Sequence, residues 1–184
     1  GGSYNLSWDS GSAAWNTTSA RYNAAAVFNG TNTYLTRSNM HFTNTWTFSF
    51  WMKTANNYGM MFFARVNGSY GHRVISIETG RIKVYNASTD QYTSWPAPGI
   101  NQWNHYVCAR SGSNLKIYIN NVLCGERSDT LSVNTSNSGL IVGISNNADS
   151  GISGGQWYPG ELDQVRVFDK QVSASEVSTL YNEV

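Results

Sequence analysis

Short runs of alternating apolar and polar residues, separated by turn-forming pairs, most strongly limit the folds open to this chain. Clear examples are 46–52, 73–77, 81–85 and 115–119, which are rich in β-branched and aromatic residues. Successive side chains of a strand point to opposite faces, so a period of two is typical of half-buried strands. Pairs such as Asn67-Gly68 recur about every eight to twelve residues, a spacing that favours a β-sandwich over β-α-β units.

Aromatic content distinguishes this polar chain from a disordered one. Charged residues make up only 12% of it, but it contains 7 Trp, 11 Tyr and 7 Phe. Disordered chains lack the large apolar side chains that drive burial. A length of 184 residues suits one domain. We therefore expect a single domain over residues 4–184, with residues 1–3 a processing scar or the edge of an excised domain.

The placement of charged and apolar residues argues against two classes of partner, nucleic acids and membranes. The 12 Lys and Arg residues are scattered without a basic run, so the sequence has no electrostatic footprint for nucleic acid. No apolar run approaches the roughly 18 residues needed to cross a membrane. We expect neither nucleic-acid binding nor membrane insertion.

One helix is signalled at the end of the chain. Residues 173–176 read Ser-Ala-Ser-Glu, the spacing of a capping box. Val177, Leu180, Tyr181 and Val184 follow as one apolar stripe. Because so short a helix is marginal alone, we expect this stripe to dock on the sandwich.

The two cysteines can be placed by strand register. The loop 111–114 pairs Cys108 with Ile117, and the loop Asn120-Asn121 pairs Ile117 with Cys124. The cysteines then lie on strands about 9–10 Å apart, beyond the ~7 Å Cα separation that a disulfide spans. We predict two free, core-facing thiols; the alternative is a slipped register or a bulge that allows a bridge.

Five segments, taken in order, resemble the laminin G-like domains of the concanavalin A-like lectin/glucanase superfamily. They are 26–35, 48–53, 103–107, 115–122 and 158–168. The resemblance implies an all-β fold, a two-sheet antiparallel jelly-roll β-sandwich with a short C-terminal helix. It also implies an extracellular, cell-surface or virion-surface location.

Catalytic chemistry is not expected. Hydrolases of this fold carry carboxylates as E-x-D-x-x-E, whereas residues 161–166 end in Arg166. Glu161 and Asp163 share a strand face but are expected to be structural. The histidines lack metal-ligand spacing, and His105 is expected to be a packed residue. A polysaccharide hydrolase or lyase is therefore the third interpretation.

Aromatic residues mixed with amide and hydroxyl groups on predicted loops are the candidates for ligand contact. Sugars are bound by ring faces, with polar groups fixing their orientation. Pro96 and Pro98 stiffen the segment after Trp95. The alternative is that these rings cover the ends of the core. The predicted ligand-binding residues are Tyr58, Tyr70, His72, Arg73, Tyr92, Trp95, Trp157 and Tyr158. The tryptophans expected in the core are Trp8, Trp15, Trp46, Trp51 and Trp103.

The resemblance also implies a structural calcium ion, held by Asp163 on the closing strand and a backbone oxygen at Gly30. Calcium accepts carbonyl and water oxygens, so few carboxylates are needed. Asn29 stands where the family commonly has Asp, and the alternative for Asp163 is a bond to a neighbouring strand.

Taken together, these features predict a non-catalytic carbohydrate-binding or adhesion module with a glycan partner. A structural or protein-interaction module of the virion-decoration type is the alternative, in which the aromatic loops contact a protein.

Overall fold

In its described part, the computed structural model consists mainly of antiparallel strands, with one helix. It describes residues 7–10, 14–37, 43–55, 58–66, 72–78, 80–85, 92–96, 98–128, 138–145 and 156–183. In chain order the strands are β1 (Ser7–Ser10), β2 (Ala14–Asn16), β3 (Ala25–Asn29), β4 (Tyr34–Arg37), β5 (Thr45–Thr54), β6 (Tyr58–Val66), β7 (His72–Glu78), β8 (Arg81–Tyr85), β9 (Tyr92–Pro96), β10 (Asn104–Ser111), β11 (Asn114–Ile119), β12 (Val122–Ser128), β13 (Ser138–Val142), β14 (Ile144–Ser145), β15 (Gln156–Trp157) and β16 (Pro159–Phe168). Helix α1 spans Ala174–Asn182.

The strands form two layers. Sheet A has the order β1-β4-β13-β6-β7-β8-β9, and sheet B has the order β12-β11-β10-β5-β16-β3-β2. Strands β14 and β15 form a separate pair. Neighbours in the sheets are often distant in sequence, as expected when a chain crosses between layers. The predicted two-sheet antiparallel sandwich is confirmed.

The core lies between the inner faces of the two sheets. Alternate residues of β5, such as Phe48 and Phe50, point inward and are almost fully buried. Ile75 of β7 and Ile82 of β8 meet them from sheet A. The period of two read from the sequence thus sets which side chains enter the core.

Helix α1 docks on the outer face of sheet B. Val177 is fully buried against Val107 and Tyr118, whose neighbours along β10 and β11 point into the core instead. Ser173 accepts from the backbone N–H of Glu176, and Glu176 accepts from that of Ser173. The predicted capping box and docking are confirmed; Val184 lies outside the described residues.

Both cysteines are free in the structure, but only one faces the core. Cys108 pairs with Ile117 and is fully buried. Beyond that point the register shifts, so that Ile117 pairs with Gly125 rather than with Cys124. The resulting β-bulge leaves Cys124 exposed. The core position predicted for Cys124 is therefore wrong.

Only some of the tryptophans expected in the core are buried. Trp46 and Trp51 are buried, as predicted. Trp103 is half-buried and donates its indole N–H to the Ser19 carbonyl at 2.8 Å. Trp15 is 58% exposed, contrary to prediction, because it lies on the edge strand β2. The side chain of Trp8 lies outside the described part of the structure.

Candidate functional site

An aromatic cluster on the outer face of sheet A is the best-defined candidate site. Leu35 on β4 and Val142 on β13 point into the core, so their neighbours Tyr34 and Ile141 point away from it. Trp157 packs against this pair from β15. We call Tyr34, Ile141 and Trp157 the Trp157 cluster.

The Trp157 cluster combines a fixed base with a partly accessible ring. Tyr34 and Ile141 are only 5% and 7% exposed, whereas Trp157 is half-buried. The ring centroids of Tyr34 and Trp157 lie 6.1 Å apart at 55°. The indole is thus held in place while part of its surface remains open, which suits stacking against the C–H face of a sugar.

The strand register of sheet A places the backbone of Arg73, another predicted ligand-binding residue, two strands away from the Trp157 cluster. Ile141 pairs with Phe63 on β6, and Phe63 pairs with Arg73 on β7. Two strand spacings, roughly 10 Å, therefore separate the backbone of Arg73 from that of Ile141. Sequence reasoning missed Tyr34 and Ile141, although their alternation with core residues marks them as facing outward.

The prediction that Trp95 lies on an exposed loop is wrong. It belongs to β9, opposite Ile82, and is 5% exposed. Its indole lies over Gly125 of β12, where a Cβ atom would stand 1.8 Å from Nε1. Trp95 therefore fills the space between the edges of the two sheets, and neither ring face is open to a sugar. Because β9 is an edge strand, it tolerates Pro96 within it.

Tyr158 is also a core residue rather than a surface ring. It is 1% exposed, and its ring centroid lies 5.6 Å from that of Phe28. Its hydroxyl lies 3.2 Å from the carbonyl oxygen of Lys53 and can donate to it. Burial raises the pKa of Tyr158 well above its ordinary value. The predicted ligand contact is contradicted because the ring is enclosed.

The remaining predicted residues are placed only by their backbone. Tyr58 begins β6 opposite Glu78, and His72 and Arg73 begin β7. Tyr92 begins β9. Their side chains, and Tyr70 as a whole, lie outside the described part of the chain, so their ligand contacts stay predictions.

The predicted calcium ligands do not converge. In the pairing of β16 with β3, Pro159 lies opposite Asn29 and Leu162 opposite Ala26. Asp163 therefore lies about five residues from the position opposite Gly30, or roughly 17 Å along the strand. Asp163 Oδ2 accepts from the Tyr22 N–H at 2.8 Å, and Oδ1 from the Gln164 N–H at 2.7 Å. Asp163 and Gly30 cannot hold one ion. The observed partners of Asp163 lie in the connection between β2 and β3 and in its own strand, rather than in the neighbouring strand that the alternative named.

Glu161 and Asp163, the two carboxylates closest in sequence, each form an ion pair or hydrogen bonds within the protein. Glu161 and Asp163 share the outer face of sheet B, as predicted, opposite Lys53 and Trp51. Glu161 pairs with Lys53 at 3.2 Å, and Asp163 is 7% exposed. Among the described residues, no three His, Cys, Asp or Glu side chains could hold a metal ion together.

His105 is buried beneath helix α1 and is held neutral. It is 2% exposed, and its Nε2 lies 3.0 Å from Ser49 Oγ. Its ring contacts Trp51 and Tyr181. Burial, with a smaller contribution from Arg166, lowers the pKa of His105 from about 6.5 to about 4. A substrate cannot reach this imidazole, which agrees with a packing role.

A family model matches this sequence, and its description agrees with the observed sandwich. The model described as the concanavalin A-like lectin/glucanases superfamily matches residues 29–178, most of the chain. The chain belongs to this superfamily. No curated protein matches its sequence. No helix among the described ranges is long and apolar enough to span a membrane.

Solved structures with this superfamily's fold include three different kinds of protein. Domain 4 of AbnA, a GH43 extracellular arabinanase from Geobacillus stearothermophilus in complex with arabinotriose, has a TM-score of 0.73 and 21% identity over 95% of this chain and 83% of that chain. The heptameric SAP-like pentraxin of Limulus polyphemus has a TM-score of 0.66 and 20% identity over 85% and 80%. Botulinum neurotoxin type C, whose cell entry is dependent upon interaction with two ganglioside molecules, has a TM-score of 0.64 and 15% identity over 97% and 46%. Likeness at these identities shows the fold alone.

Proposed function

We propose that this protein is a non-catalytic glycan-binding or adhesion module of an extracellular, cell-surface or virion-surface protein. The observation that carries the proposal is the Trp157 indole, half-buried against Tyr34 on the outer face of sheet A. A ring fixed in this way loses little conformational entropy when a sugar stacks on it.

The state of the acidic residues supports binding without hydrolysis. Glycoside hydrolysis needs two carboxyl groups that face one scissile bond, about 5 Å or 6.5–9.5 Å apart. Glu161 and Asp163 face away from the Trp157 cluster, on the opposite sheet, and each is engaged within the protein. The structural neighbours solved with arabinotriose or dependent on gangliosides support a glycan partner at the level of the fold.

A glycan array tests this proposal. We expect the wild-type protein to bind a limited set of oligosaccharides and Trp157→Ala to lose binding by about tenfold or more. Trp15→Ala is the matched control, because Trp15 is 58% exposed on the edge of sheet B. No binding across diverse sugars, or equal losses in both variants, would contradict the proposal.

A protein-interaction module is a second candidate, favoured by a separate surface. Val122 and Leu123 on edge strand β12 are 63% and 47% exposed, and exposed apolar patches often mark protein contacts. Light scattering over a range of concentrations tests this candidate. Association that Leu123→Ser abolishes and Trp157→Ala leaves intact would support it, and a monomer throughout would count against self-association.

A further inference from the structure

We propose that Lys53 and Asn16 become joined by an isopeptide bond, with Glu161 as the proton-transfer group. This cross-link would tie β2 to β5 across the outer face of sheet B. The proposal does not depend on glycan binding, and its test measures a different property.

The three side chains are brought together by strand register. Lys53 on β5 pairs with Glu161 on β16, and Glu161 pairs with Val27 on β3. Val27 in turn pairs with Ala14 on β2, two residues before Asn16. Glu161 therefore lies between the strand that carries the lysine and the strand that carries the asparagine.

Glu161 bridges the two groups that would react. Its Oε1 lies 3.2 Å from Lys53 Nζ, and its Oε2 accepts from Asn16 Nδ2 at 2.8 Å. Ser19 Oγ lies 2.6 Å from the same Nδ2 and 3.4 Å from the same Nζ. The two nitrogen atoms are therefore no more than about 6 Å apart, which places Nζ within about 7 Å of Asn16 Cγ, so the flexible lysine side chain has to move to reach that carbon.

The carbonyl group of Asn16 is already polarised for attack. Its Oδ1 accepts backbone N–H bonds from Thr18 at 2.9 Å and from Ser19 at 3.0 Å. Two fixed N–H donors on one carbonyl oxygen form the arrangement that stabilises the oxyanion of a tetrahedral intermediate. The Lys53 and Glu161 side chains are 26% and 15% exposed, so water is partly excluded from both.

The reaction balances without a co-reactant. Glu161 takes a proton from the Lys53 ammonium group, and the free Nζ lone pair forms a bond to Asn16 Cγ. Glu161 then passes a proton to Nδ2, the Cγ–Nδ2 bond breaks, and the carbonyl group re-forms. Nδ2 leaves as ammonia, which becomes ammonium in water by taking the remaining proton from Nζ. Glu161 ends as the carboxylate it was at the start.

A second Lys–Glu–Asn set in the same protein serves as an internal control. Lys116 Nζ lies 3.7 Å from Glu126 Oε1, and Asn114 Nδ2 lies 2.5 Å from the same oxygen. Here one oxygen serves both nitrogens, and Glu126 is 46% exposed. Asn114 Oδ1 accepts from the side-chain amide of Gln171 rather than from paired backbone N–H groups. We expect no cross-link at this second set.

The intact mass of the purified wild-type protein tests the proposal. We expect a mass about 17 Da below that of the sequence, the mass of the ammonia lost. Protease digestion should yield a branched peptide that joins residues 16 and 53. Lys53→Arg and Glu161→Gln should restore the full mass, whereas Lys116→Arg should keep the deficit. The melting temperature of Lys53→Arg should fall by roughly 10 °C, because the cross-link no longer restricts the unfolded chain.

Two results would overturn the proposal. One is a wild-type mass equal to that of the sequence after prolonged incubation of the folded protein. The other is a deficit that maps to a succinimide at Asn29-Gly30 or Asn67-Gly68, which loses the same mass but forms no branched peptide. Because the mass of the wild-type chain decides the question, poor folding of a variant would not affect the outcome.

Discussion

The outer faces of the two sheets arise from the same alternation of side chains but differ in what covers them. On sheet B, helix α1 covers Val107 and Tyr118, and the backbone N–H of Tyr22 binds Asp163. On sheet A, the Trp157 cluster keeps a half-buried indole at its surface. One outer face is therefore largely covered by the protein's own chain, whereas the other carries a partly exposed aromatic ring. Side chains on sheet B should accordingly govern stability, and Trp157 should govern binding.

The largest expected loss of stability comes from placing a charge beneath helix α1. Val177→Asp should lower the free energy of unfolding by about 4 kcal/mol, because Val177 is fully buried against sheet B and the new carboxylate would have no partner. Ser175→Asp is the matched control, since Ser175 is exposed in the first turn of the same helix. Urea denaturation measures both variants. Equal stability of the two would show that α1 is not docked.

Acid should weaken the same face through His105. Its pKa is lowered in the folded protein to about 4, so the unfolded chain binds more protons between about pH 6.5 and pH 4. Stability is therefore fully present above pH 6.5 and falls as the pH drops through this window, by up to about 3 kcal/mol. Denaturant titrations at several pH values measure this loss. His105→Gln should flatten the dependence, and an unchanged slope would contradict the assignment.

Removal of the Asp163 side chain should have the next largest effect. Asp163→Ala leaves the N–H groups of Tyr22 and Gln164 without their acceptor, at a cost of about 2 kcal/mol. Asp169→Ala is an exposed control only six residues away. Thermal melting compares the two variants. A loss in Asp169→Ala as large as that in Asp163→Ala would argue against a specific role for the buried carboxylate.

The smallest expected effect is that of calcium. Since Asp163 and Gly30 do not converge, the melting temperature in EDTA should match that in millimolar calcium within about 1 °C. A rise of several degrees in calcium would contradict this expectation and show that the protein binds the ion at residues other than the pair that the family resemblance implies.

Local patterns predicted the elements of the fold more fully than the site. The alternation along β5 and the Ser173–Glu176 capping box are each encoded within a few residues, so the strand and the helix follow from sequence. The bulge at Cys124 lies within the β11–β12 hairpin, but the alternation of its residues does not reveal it. The burial of Trp95 depends instead on contacts between β9 and β12, which are distant in sequence. No short window of sequence contains those contacts.

The candidate site was only partly predictable for the same reason. Trp157 was expected at the ligand surface, but its support by Tyr34 and Ile141 requires the pairing of β4 with β13. Alternation shows that Tyr34 faces away from Leu35, but it does not show which face of the sandwich each will occupy.

The central claim is that a ligand binds the outer face of sheet A and not that of sheet B. A nuclear magnetic resonance titration of the tryptophan indole N–H signals with an oligosaccharide from the array tests it most directly. The 7 tryptophans are distributed over the protein and can be assigned by single Trp→Phe variants. We predict that the Trp157 signal shifts on binding, while those of Trp15, Trp51 and Trp103 stay in place. Shifts confined to Trp15, Trp51 or Trp103 would place the ligand on sheet B or its edge and contradict the account.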